Sequence, residues 1–148
     1  MSTTAQRPIL LVDDSVDDVE LVLVALRRTN LKNKVITLRD GSEALDYLYR
    51  RGKFARRDDP LAILLDIKMP KVTGLEVLRS IKSDERLKTI PVIMLTSSNR
   101  ESDVDSSYRL GVNAYVVKAV EFDSLLDSIA CVARFWTEVN HSPPSRPA

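Results

Sequence analysis

Five short apolar runs alternate along the chain with segments of helical periodicity, and this alternation constrains the fold more than any other feature. The first, third and fourth runs are apolar throughout, which is typical of parallel strands covered on both faces. The second run alternates polar and apolar residues, as a strand near a sheet edge does. The predicted strands occupy residues 8–13, 33–38, 61–66, 91–96 and 114–118.

The segments between these runs repeat their apolar residues with the period of an amphipathic helix. Ser15, and either Asp40 or Ser42, are the candidate N-caps of the first two helices. The resulting order, (βα)5, predicts an α/β fold with a parallel five-stranded sheet, right-handed crossovers and the flavodoxin-like strand order 2-1-3-4-5. The predicted helices occupy residues 15–28, 41–51, 74–82, 101–110 and 122–138.

Composition narrows the functional classes that this fold can serve. The net charge of +1 lacks the overall basic excess that is typical of proteins that bind a nucleic acid or a membrane. The apolar runs are too short to span a bilayer. The single cysteine, Cys131, cannot form an intrachain disulfide, and the first residues lack a signal peptide. We therefore expect a cytoplasmic protein, with one domain over residues 7–138 and a disordered tail or dimer arm over 139–148.

Four of the predicted strands have a polar residue at the carboxyl end. In the predicted strand order, these carboxyl ends border one crevice beside strands one and three. The sequence therefore places three carboxylates, a hydroxyl and an ammonium group around one pocket. The residues are Asp13, Asp14, Asp66, Thr96 and Lys118.

This set of side chains predicts phosphoryl chemistry with a hard cation. Carboxylates that lie close together repel one another and need raised pKa values or a cation, and oxygen ligands suit Mg²⁺. Asp66 ends the central strand and is the best candidate nucleophile for an aspartyl-phosphate. Lys118 would neutralise the phosphoryl oxygens, and Thr96 would donate a hydrogen bond to one of them.

These residues resemble the receiver domain of bacterial response regulators, the CheY-like family, over about residues 7–138. The motifs that carry the resemblance are Asp13-Asp14, the run from Leu64 to Pro70 with Gly74, Leu95-Thr96-Ser97 and Val116-Val117-Lys118. The resemblance implies phosphoryl transfer from a histidine kinase to Asp66. It also implies that Asp13, Asp14, Asp66 and the backbone carbonyl of Lys68 hold Mg²⁺. Thr96 and Tyr115 are then the residues that change position on phosphorylation.

One position departs from the family pattern. The family usually has a proline in a cis bond after the strand-five lysine, and this chain has Ala119. A cis bond before alanine would cost about 3 kcal/mol, so we expect the following loop to run differently. This feature, the basic loop over residues 50–57 and Phe135-Trp136 are similar to the phytochrome-associated single-domain regulators of the Rcp type. A phytochrome is therefore a candidate kinase.

Two further expectations concern the surface. Val132, Phe135 and Val139 give the last helix more apolar surface than packing on the sheet requires, so we expect a homodimer through this helix and the C-terminal arm. The side chain of Lys68 is expected at the pocket mouth, where we hypothesise that it shields the aspartyl-phosphate from water.

A small Mg²⁺-dependent phosphatase with an aspartyl nucleophile is the alternative function. Such enzymes often carry a second acid two residues after the nucleophile, and this chain has Lys68 there. The only histidine, His141, lies in a proline-rich tail, away from the predicted site, which argues against His-dependent catalytic triads. The sequence therefore favours a signalling switch over an enzyme. Such a switch catalyses only its own phosphorylation and dephosphorylation.

Overall fold

The computed structural model describes residues 7–145 and contains a parallel five-stranded sheet. The strands are β1 (Ile9–Val12), β2 (Val35–Leu38), β3 (Ala62–Leu65), β4 (Val92–Thr96) and β5 (Ala114–Val117). Their order in the sheet is β2-β1-β3-β4-β5. The predicted flavodoxin-like fold is confirmed, and each strand falls within its predicted apolar run.

Four α-helices connect the strands, a fifth follows β5, and together they cover both faces of the sheet. They are α1 (Val16–Arg27), α2 (Gly41–Leu48), α3 (Gly74–Ser83), α4 (Glu101–Arg109) and α5 (Phe122–Arg134). Apolar side chains of α1 and α5 form one core with the sheet, and those of α2 and α3 form the other. Ser15 and Asp40 cap α1 and α2 as predicted, because each side chain accepts a hydrogen bond from a backbone N–H in the first turn.

The end of α5 differs from the sequence prediction of one helix over 122–138. The α-helix ends at Arg134, and a π-helical turn follows from Phe135 to Val139. The backbone N–H of Asn140 donates to the Phe135 carbonyl over 2.6 Å, and the Thr137 hydroxyl donates to the Ala133 carbonyl over 2.6 Å. The bond from Asn140 spans five residues, which is the π-helical pattern. Trp136 stays packed against the core shared with α1.

Residues 141–145 carry no helix or strand, but they contact the domain. The Arg7 guanidinium donates a hydrogen bond of 3.1 Å to the Pro143 carbonyl, at the edge of the sheet where the strands begin. The part of the predicted tail over residues 146–148 lies outside the described residues. Among residues 7–145, no helix is long and apolar enough to cross a membrane.

Candidate functional site

Three carboxylates meet at the carboxyl edge of β1 and β3. The two strands pair in parallel with Val12 opposite Leu65, so Asp13 and Asp66 leave the sheet side by side. One carboxylate oxygen from each of Asp13, Asp14 and Asp66 can be chosen so that all three lie within 4.8 Å of one another. Asp13 and Asp66 are largely buried, whereas Asp14 is exposed. The predicted acid cluster is therefore assembled, with one side open to solvent.

The carboxyl group of Asp66 is largely buried and hydrogen-bonded. Its Oδ1 accepts a hydrogen bond of 2.8 Å from the Ile67 backbone N–H. Burial raises the pKa of Asp66, and the charge of Lys118 and a hydrogen bond from the Thr96 hydroxyl oppose that rise only in part. Gly74 begins α3 directly behind this residue, and a Cβ there would overlap the Asp66 carbonyl oxygen.

Lys118 reaches across the pocket from the end of β5. Its Nζ lies 2.6 Å from Asp13 Oδ2, 2.9 Å from Asp18 Oδ2 and 3.8 Å from Asp66 Oδ2. Burial lowers the pKa of Lys118. The hydrogen bonds to Asp13 and Asp18, together with the charges of Asp66 and Asp13, outweigh burial, so the net shift of this pKa is upward. The side chain is therefore a charged ammonium group at neutral pH.

Thr96 and Tyr115 are linked through Ser98 at the end of β4. The backbone N–H of Ser98 donates to Thr96 Oγ1 over 3.3 Å, and the Tyr115 hydroxyl donates to the Ser98 carbonyl over 2.8 Å. Thr96 is buried, and Tyr115 is partly buried on β5. The two residues predicted to change position on phosphorylation thus both hydrogen-bond to the backbone of the loop that follows β4.

Lys68 follows Asp66 by two residues and is exposed. Its predicted shielding role and the predicted metal contact of its carbonyl both stay predictions. The peptide bond between Lys118 and Ala119 is trans, as is every other peptide bond in residues 7–145.

Comparison with known proteins decides the family. Residues 9–130 match the response regulator receiver domain. The chain belongs to the response regulator receiver family. The receiver shares 41% identity over 130 residues with the response regulator Rcp1 of Synechocystis sp., an alignment that covers 88% of each protein.

Solved structures of phytochrome response regulators resemble the receiver closely. The phosphorylated cyanobacterial regulator RcpA is 39% identical and superposes with a TM-score of 0.90, covering 94% of this chain and 99% of that one. The bacteriophytochrome response regulator RtBRR is 56% identical, with a TM-score of 0.75 and coverage of 94% and 85%. The Mn²⁺-bound form of Rcp1 superposes with a TM-score of 0.89 at 39% identity, covering 93% and 99%. The receiver is therefore a homologue of these regulators and has a phosphorelay role.

The donor set of the receiver fits a divalent metal. Three carboxylate oxygens converge, and hard cations prefer oxygen ligands of this kind. The open side at Asp14 leaves room for water and a phosphoryl oxygen, which Mg²⁺ and Mn²⁺ both accept. A bound cation would also offset the repulsion among the acids.

Asp18 is the site residue that sequence reasoning missed. It lies in the first turn of α1, where an acid stabilises the helix dipole whatever else it does. Because that role alone explains an acid at this position, the sequence did not indicate its contact with Lys118, which is 100 residues away. The available signal was its place in the first turn of α1, because this turn directly follows Asp13 and Asp14 at the carboxyl end of β1.

Proposed function

We propose that this receiver accepts a phosphoryl group on Asp66 from the phosphohistidine of a sensor kinase, with Mg²⁺ held by Asp13, Asp14 and Asp66. The observation that carries the proposal is the convergence of Asp13, Asp66 and Lys118, in which the Lys118 Nζ lies within 4 Å of both carboxylates. The backbone carbonyl of Lys68 would complete the protein ligands. The cation supplies charge neutralisation between the acids and the incoming phosphoryl group.

In the proposed reaction, an oxygen of Asp66 forms a bond to phosphorus as the bond between phosphorus and the histidine nitrogen breaks. The imidazole of the kinase leaves with the electron pair of that bond. The third N–H of Lys118 donates to a phosphoryl oxygen, and Thr96 turns its hydroxyl towards another. Movement of Thr96 then alters its contact with Ser98, and through Ser98 the position of Tyr115.

The kinase proposed here is a phytochrome. The support is the similarity of the whole described chain to the phytochrome response regulators RcpA and RtBRR, which is strong in both sequence and structure. The domain is proposed to act in the cytoplasm, where sensor kinases expose their phosphohistidine. A homodimer through α5 and the C-terminal arm is proposed as the assembly, supported by the exposure of Phe135 and Val139.

The test is phosphoryl uptake from a small phosphodonor with Mg²⁺, followed by intact mass measurement. We expect a gain of one phosphoryl group per chain, no gain for Asp66→Asn and a normal gain for Asp127→Asn, which removes an exposed carboxylate from α5. A purified bacteriophytochrome kinase should label the same residue.

Two outcomes would contradict this function. Labelling that persists in Asp66→Asn would place the phosphoryl group elsewhere. Continuous turnover of a phosphate ester, with many phosphates released per chain, would point instead to the phosphatase, which the similarity to response regulators does not favour.

A further inference from the structure

We propose that Asp18 is a positioning residue, which holds the ammonium group of Lys118 where it can receive the transferred phosphoryl group. The inference rests on the proposed function and extends its site to α1. Among residues 7–145, the carboxylates paired with Lys118 belong to Asp13, Asp18 and Asp66. Of these, Asp18 stands apart from the three-carboxylate cluster that fits a metal.

The hydrogen bonds of Lys118 divide its three N–H donors. Asp13 accepts one over 2.6 Å and Asp18 accepts a second over 2.9 Å. Asp66 lies 3.8 Å away, beyond hydrogen-bonding distance. Since an ammonium group has three donors, the third is left for an oxygen of a phosphoryl group on Asp66.

Asp13 alone would be an inadequate anchor for Lys118. Its carboxylate is also a proposed metal ligand, so a bound cation competes with the ammonium group for its charge. Asp18 lies outside the proposed metal site, so its carboxylate stays available to Lys118 whether or not a cation is bound. Its backbone is fixed by the N-cap of α1, because the Asp18 N–H donates to Ser15 Oγ over 3.2 Å.

A neighbouring groove offers Lys118 an alternative position if this anchor is removed. A groove between α1 and the loop after β5 opens beside the pair, and it is lined by Asp18, Lys118, Ala119 and Val120. A lysine side chain is long and flexible, and holding it in one position costs conformational entropy. Removing the Asp18 carboxylate lets the ammonium group turn into this solvent-facing groove, away from Asp66.

The first test is the rate of phosphorylation by a small phosphodonor at saturating Mg²⁺. We expect Asp18→Asn to be about three- to tenfold slower than wild type, and Asp18→Glu to recover most of the rate. Asp17→Asn is the matched control, since it removes the same charge from the neighbouring exposed position of α1. A rate in Asp18→Asn equal to or above wild type overturns the inference, and so does an equal loss in Asp17→Asn.

The second test observes Lys118 directly and needs neither metal nor phosphate. In a nitrogen-15 spectrum of lysine ammonium groups, the Lys118 resonance should be sharp in wild type and in Asp17→Asn, because its hydrogen bonds slow proton exchange with water. It should broaden or disappear in Asp18→Asn. A Lys118 resonance that Asp18→Asn leaves unchanged overturns the inference.

The two proposals fail in different ways. Phosphoryl uptake by the wild type at a rate that Asp18→Asn does not change overturns the role of Asp18 and leaves the proposed function standing. No uptake by the wild type overturns both.

Discussion

At the scale of single residues, the site holds one carboxylate, that of Asp66, whose charge does not favour the folded state. Asp66 is buried beside Asp13, and its surroundings raise its pKa although Lys118 is near. A carboxyl group whose pKa is higher in the folded than in the unfolded chain favours folding less once it ionises. The receiver therefore holds its reactive carboxylate at some expense of stability.

Neutralising Asp66 should accordingly stabilise the fold. Because the folded pKa is raised, the penalty is absent below the unfolded pKa and is complete once the pH has risen through the folded pKa. We expect Asp66→Asn to raise the free energy of unfolding at pH 7 in the presence of a chelator, because it removes the buried charge. The gain should shrink as the pH falls towards 4.

Urea denaturation at several pH values measures this effect, with Asp127→Asn as the exposed control. A loss of stability in Asp66→Asn at pH 7 would contradict the upward shift of the pKa. A gain that is the same at pH 4 and pH 7 would show that ionisation is not the cause.

Single residues were predictable where they follow a strand. Asp13, Asp66, Thr96 and Lys118 each end an apolar run, so chain topology alone brings them together. The partner of Lys118 was not predictable in the same way. Hydrogen bonds to Asp13 and Asp18 depend on the direction of a long side chain, which neither periodicity nor spacing determines.

At the scale of elements, the boundaries of strands were easier to predict than the end of the last helix. An apolar run bounded by polar residues marks a buried strand directly, as for β3 and β4. Over the five residues from Phe135 to Val139, the apolar stripe is equally compatible with an α-helical and a π-helical turn. The backbone hydrogen bond from Asn140 to Phe135 distinguishes them, and the pattern of side chains does not report it.

The packing of α3 against the site gives a prediction for Gly74. Its backbone N–H donates to the Ile67 carbonyl over 2.8 Å, and a Cβ there would overlap the Asp66 carbonyl oxygen. We expect Gly74→Ala to lower the free energy of unfolding by about 2 kcal/mol or more, because backbone must move to make room. It should also slow phosphorylation, since the displaced backbone belongs to Asp66.

Gly52 provides the matched control for this substitution. It has a φ of +54° but open space around its Cβ position, so Gly52→Ala should cost only about 1 kcal/mol from the left-handed backbone. It should leave phosphorylation unchanged. Chemical denaturation and the phosphodonor assay measure both effects, and equal losses in the two variants would rule out the contact with Asp66.

At the scale of the whole molecule, part of the apolar surface left outside the two cores lies at the end of α5. Phe135 is 44% exposed and Val139 is 64% exposed, while Trp136 between them packs on the core. Covering such side chains is favourable, at about 25 cal/mol per Å² of apolar surface. This surface carries the proposed homodimer.

The dimer predicts a change of mass in solution. We expect the double variant Phe135→Ser, Val139→Ser to shift the receiver from dimer to monomer in light scattering, while circular dichroism stays unchanged. Val16→Ser is the control, because Val16 on α1 is similarly exposed at 58%. Wild-type protein that is monomeric throughout the concentration range, or a double variant that stays dimeric, would contradict the proposed interface.

The contact between Arg7 and Pro143 brings two distant parts of the chain together. It lies at the edge of the sheet where the strands begin, and Asp66 lies at the opposite edge, where they end. Strands of four residues separate the two sides by about 13 Å. A fluorophore introduced beside either residue would therefore leave the phosphoryl chemistry undisturbed. The same proximity makes the receiver suitable for circular permutation, because a short linker across this contact would leave all five strands in place.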